Sequence, residues 1–83
     1  MDELSWRARL LKSNINITHV DWEQELIYCD FAWRPHAGST PKWGKTFVHG
    51  LVYYPGVNPM VDWNAMADII REEVLSLRKE LEE

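Results

Sequence analysis

Advancing about 100° per residue, Trp63, Met66, Ala67, Ile70, Val74, Leu77 and Leu81 fall on one narrow stripe, the mark of a helix with a single buried side. Asp62 stands where a side-chain oxygen can accept from an unpaired N–H of the first turn, so the spacing predicts a helix over 62–81. Ile69 and Leu75 lie off the stripe, and Glu72, Lys79, Glu82 and Glu83 cover the solvent side. An apolar stripe of this length must be laid against something, and the preceding chain supplies β-forming residues for the purpose.

The clearest strand is 26–33, where Ile27, Cys29, Phe31 and Trp33 alternate with Tyr28, Asp30 and Ala32 at period two, the first set facing the core. Residues 15–22 are rich in β-branched side chains and read as a strand, with Glu23, Gln24 and Glu25 forming the turn that follows. Residues 35–45 are dense in Gly, Pro, Ser and Thr and read as a loop, long for a hairpin, before a third strand over 46–54 closed by Pro55-Gly56. Asn58-Pro59 ends the irregular segment. Asp2 and Glu3 suit a helix N-terminus, and Arg9 and Lys12 suit its last turn, so a first helix is expected over 2–12, broken by Ser13-Asn14. That helix has two apolar sides, Leu4, Ala8 and Leu11 on one and Trp6 and Leu10 on the other; Trp6 is expected to fold over the edge of the core rather than to meet a second subunit.

The expected fold is α+β, a two-layer sandwich of order α-β-β-β-α, with a three-stranded antiparallel sheet and two helices on one face, as one domain over 1–83. Eighty-three residues are few for a hydrophobic core, but 46% are hydrophobic and five are tryptophan, which is too apolar for disorder. No apolar run is long enough to span a membrane, and Met1 is followed by Asp2 and Glu3 rather than by a basic and then an apolar segment. Cys29 is the only cysteine, which excludes an intrachain disulfide and a cysteine-based zinc site, and suits a reducing cytoplasm.

A net charge of −4 disfavours non-specific nucleic-acid binding by the molecule as a whole. The charge is unevenly placed: residues 31–61 contain no Asp or Glu but hold Arg34, Lys42, Lys45, His36 and His49. Arg34, Lys42 and Lys45 interleave with Trp33, Trp43 and Phe47, the mixture of cations and stacking rings that single-stranded nucleic acid uses. The element order is also that of double-stranded RNA-binding domains. The second helix, however, opens with Asp62, Asn64 and Asp68 where such a domain sets lysines against phosphate, so no family is assigned on order alone.

The run from Gly38 to Thr46 resembles a phosphate-binding P-loop only at first sight, since five residues rather than four separate its glycines and a strand follows Lys45-Thr46 instead of a helix. His19, Asp21, Glu23, Glu25 and His49 match no metal-ligand spacing, no nucleophile-elbow pattern surrounds any serine, and Cys29 reads as an inert core residue. The acidic side chains of the last helix could imitate a nucleic-acid backbone, but Arg71, Arg78 and Lys79 interrupt them. No cofactor, metal or catalytic residue is expected.

Two helices cover only one side of a three-stranded sheet, which leaves the other open and aromatic. The expected function is a non-catalytic protein-interaction module, a small acidic adaptor or inhibitor, whose partner is an unidentified protein or a second copy of the chain. The expected interface is Tyr28, Trp43, Phe47, His49, Leu51 and Tyr53, although the opposite register of the third strand fits the pattern nearly as well. The alternative is a nucleic-acid-binding module using loop 34–47, with Arg34, Lys42, Trp43 and Lys45 as its contacts.

Overall fold

The computed structural model describes residues 4–56 and 60–82, so Asp2 and Glu3, Asn58-Pro59 and Glu83 lie outside the described residues. The elements run α1 (Leu4–Lys12), β1 (Ile15–Asp21), β2 (Leu26–Trp33), β3 (Lys42–His49) and α2 (Trp63–Leu81). The strands form one antiparallel sheet in the order β1-β2-β3. Trp6 and Leu10 of α1 and Met66, Ala67, Ile70 and Val74 of α2 meet Ile15, Ile27, Cys29, Phe31 and Val48 in a single buried cluster. Both helices therefore lie on one side of the sheet, giving the α+β sandwich expected from the pattern.

Asn14 ends α1 in the left-handed region at φ 58°, donating its N–H to the Leu11 carbonyl at 3.0 Å. Of the two apolar sides of α1, the one carrying Trp6 and Leu10 is buried, while Leu11 is 65% exposed. The Trp6 ring stacks on Trp63 with centroids 5.0 Å apart and planes 17° from parallel, and Arg9 bonds Asp68 at 2.7 Å, so the two helices are joined near the start of α2. Asp62 caps α2 as its position predicts, accepting from the Ala65 N–H at 3.1 Å.

β3 departs from expectation at both ends. Lys42 to Lys45, expected as loop, are strand, because the second half of β2 offers an unbroken ladder to them: Trp33 faces Lys42, Ala32 faces Trp43, Phe31 faces Gly44 and Asp30 faces Lys45. At the other end β3 stops at His49, where Gly50 takes φ 102° and donates to the Glu25 carbonyl at 2.7 Å. Beyond that turn the period-two parity no longer holds. Leu51 packs against the core, and Tyr53 pairs only with Val61 in an isolated bridge.

Candidate functional site

The uncovered face is set by strand parity. Opposite the buried Ile27, Cys29 and Phe31, β2 turns Leu26, Tyr28, Asp30 and Ala32 outward, and β3 presents His49, Phe47, Lys45 and Trp43 directly across from them. Trp43 is 63% exposed, Phe47 54% and Tyr28 37%, large for aromatic rings on a sheet. The third column comes from β1 through a bulge. Ile17 faces Cys29 but His19, two residues on, faces Tyr28, so Thr18 is the extra residue. Thr18 donates its hydroxyl to the Tyr28 carbonyl at 3.2 Å. Without the bulge His19 would point into the core and Val20 into solvent; with it Val20 packs inward and His19 stands over Tyr28.

The result is a ring ladder across three strands, His19 to Tyr28 at 5.9 Å and Tyr28 to Phe47 at 6.1 Å between centroids. Charge varies along the strands. Asp21, Glu23 and Glu25 gather at the β1–β2 turn, where Asp21 accepts from the N–H groups of Glu23 and Gln24, both at 3.1 Å. Asp30 and Lys45 stand opposite each other midway along the strands, whereas Lys42 at the far end of β3 lies on the other parity. The face thus carries exposed rings and an opposed Asp30 and Lys45, with carboxylates gathered at one end.

Of the residues expected at a protein interface, Tyr28, Trp43, Phe47 and His49 share this face. Leu51 and Tyr53 do not, because the turn at Gly50 intervenes; Leu51 belongs to the core side, and the Tyr53 hydroxyl donates to Glu25 at 3.4 Å. Desolvation first, then the Glu25 charge and that hydrogen bond, raise the Tyr53 pKa above the ordinary phenol value. His19 is a member of the face that sequence reasoning missed, and no sequence signal marks the bulge that turns it outward. The expected nucleic-acid contacts are divided: Trp43 and Lys45 point to the open face, whereas the Lys42 ammonium lies 5.6 Å from the Trp33 ring centroid on the other parity.

Gly44, Lys45 and Thr46 are in β3, so the P-loop-like run has no helix after its Lys-Thr pair. His19 and His49 lie on the two outer strands with β2 between them, and no group of three or more His, Cys, Asp or Glu able to hold an ion occurs among the described residues. Among these residues no helix is long and apolar enough to cross a membrane. Compared with known proteins, the chain matches no family model, no curated protein and no solved structure.

Proposed function

We propose that the protein is a non-catalytic interaction module of the adaptor or inhibitor kind, that its open sheet face is a docking surface, and that the occupant of that face is a second copy of the chain. The carrying observation is the exposed ladder His19, Tyr28 and Phe47 on a face that neither helix covers. The charge pattern favours a second copy over an unrelated partner. A two-fold axis lying in the interface and running along the strands between β2 and β3 sets Asp30 of each copy against Lys45 of the other, and Tyr28 against Phe47. It also keeps the acidic side chains of the two α2 helices in the outer layers, where a protein of net charge −4 repels itself least.

Three strands spaced about 4.8 Å apart and eight residues long offer a plan area of roughly 400 Å² per copy, at the low end for a specific interface. The dimer is therefore weak and concentration-dependent, forming in the micromolar to millimolar range. Sedimentation velocity across that range tests it. Phe47→Glu should abolish association while leaving the thermal transition of the monomer in place. Asp30→Lys should weaken association and the added Lys45→Asp should restore it. A wild type that stays monomeric at millimolar concentration would exclude the second copy as the occupant.

A further inference from the structure

At the end of the sheet where both helices finish, a cleft of ≈ 620 Å³ opens between the turn after α1 and the hairpin joining β2 to β3. That volume lies within the roughly 300–1,000 Å³ usual for small-molecule sites. Its walls include Lys12, Trp33, Arg34, Trp43, Arg78 and Glu82. We infer that this cleft binds a nucleoside phosphate unit, free or within a single-stranded nucleic acid, with the base stacked on Trp43 and the phosphate held by Lys12 and Arg34.

The charge in the cleft exceeds what the fold requires. Arg78 is committed internally, Nε donating to the Ala32 carbonyl at 2.8 Å and Nη2 to the Ser13 carbonyl at 2.6 Å, which satisfies chain ends at the finish of α1 and β2. Lys12 offsets the negative end of the α1 dipole. Arg34 also lines the cleft, and its guanidinium holds no part of the fold together in this way, since the one salt bridge among the described residues joins Arg9 to Asp68. Among the described residues Glu82 is the only carboxylate lining the cleft, and one of its oxygens accepts from the Arg34 backbone N–H at 3.2 Å, leaving the guanidinium outside that bond.

An anion fits this surplus, and a guanidinium and an ammonium lining one cleft suit phosphate. The two tryptophans narrow the choice to an anion with a flat apolar part. Trp33 already carries the Lys42 ammonium over its ring, but Trp43, which also lines the cleft, is 63% exposed and so leaves ring surface for a flat ligand. Ala32, directly across from Trp43 in the register, leaves room beside that ring where a larger side chain would fill it.

The decisive experiment titrates the full chain at low salt with an oligothymidylate of about ten nucleotides, within the range of small single-strand sites. Adenosine 5′-monophosphate, a duplex of the same length and inorganic phosphate are titrated separately, each followed by tryptophan fluorescence and calorimetry. The single strand should bind with an affinity that falls as salt rises. Trp43→Ala should weaken it about 5- to 150-fold, the loss per stacked base. Lys12→Ala with Arg34→Ala should weaken it at least about tenfold and flatten the salt slope, while Arg34→Lys retains part of the affinity. These side chains are exposed, so unchanged melting would confirm that the variants remain folded. Mononucleotide binding as tight as the oligomer identifies free nucleotide as the source, and much tighter oligomer binding identifies nucleic acid.

Three results would overturn the inference: no binding of either nucleoside phosphate at low salt, duplex or bare phosphate binding as well as the single strand, or indifference to the Lys12 and Arg34 changes.

Discussion

Gly44 sits directly under the ring of Phe31, its partner in the β2–β3 register: a Cβ built on Gly44 would stand 3.0 Å from Phe31 Cζ and 3.2 Å from Cε1. Phe31 is among the largest fully buried side chains, so its ring has little room to retreat. Gly44→Ala should gain about 0.5–1 kcal/mol from a stiffer unfolded chain and lose about 1–3 kcal/mol to overpacking. The expected net loss, up to about 2.5 kcal/mol, lowers Tm by up to roughly 20 °C, measured by thermal denaturation. An unchanged or higher Tm would show that the ring swings aside without cost.

That contact bears on how far the chain can be read from its residues alone. Gly44 belongs to a segment whose Gly, Pro, Ser and Thr content speaks for a loop, and composition cannot show that β2 extends a ladder able to draw four of those residues into β3. The strand's other end misleads for the converse reason. Val52, Tyr53 and Tyr54 have strong β propensity, yet the chain leaves the sheet at Gly50, whose left-handed backbone is a local event. Helix α2, its Asp62 cap and the inward set of β2 are legible because periodicity and burial are the same fact seen twice. Tyr28, Phe47 and His49 share the open face for that reason, whereas Trp43, expected in the loop, joins them because the ladder reaches it. His19 joins them only through a bulge, which shifts parity without any residue type that announces it.

The two sides of the Gly50 turn should respond oppositely to charge. Phe47, on the open face, should accept lysine with Tm changed by only a few degrees, since a surface substitution is usually worth within about 0.5 kcal/mol. Leu51, packed against the core, should lose about 1–3 kcal/mol on the same change. Ile70→Asp, at a position with no exposure, should remove the folded state altogether, because an unpaired buried carboxylate costs as much as a small domain's whole stability, about 5 kcal/mol. Circular dichroism melts of the three variants rank them directly. A Leu51 variant as stable as the Phe47 variant would mean that the segment after Gly50 is not docked in solution.

Arg78 joins the end of α1 to β2 at the far end of the molecule, binding carbonyls of Ser13 and Ala32 from one guanidinium. Lysine presents a single charged point and cannot span both. Arg78→Lys should therefore cost about 1–3 kcal/mol, and Arg78→Met somewhat more, because both carbonyls then lose a charged donor. Chemical denaturation gives the difference. By contrast Arg9→Met, which breaks the exposed pair with Asp68 and two long bonds to Asn64, should cost about 1 kcal/mol.

The Cys29 thiol makes stability depend on alkaline pH in a direction that can be worked out. It is buried, and burial first and the neighbouring Asp30 charge second push its pKa from 9.0 up to about 11. In the unfolded chain the thiol loses its proton near 9.0, while in the folded chain it keeps it to about 11. Between those values the unfolded state binds fewer protons than the folded one, so unfolding becomes easier as pH rises; below the interval the contribution is whole, and above it nothing further is lost. Two pH units correspond to about 2–3 kcal/mol as an order of magnitude. Cys29→Ala has no thiol to titrate and should lack this component, whatever constant amount it loses to the smaller side chain. Tyr53, also shifted upward, drives the same trend in both proteins, so it cancels in the comparison. Urea denaturation of the two proteins across the interval should show their stability difference moving by about 2–3 kcal/mol against the wild type. A difference that stays constant with pH would mean that the thiol reaches water in the folded state, and that the core beneath Asp30 is more open than its packing implies.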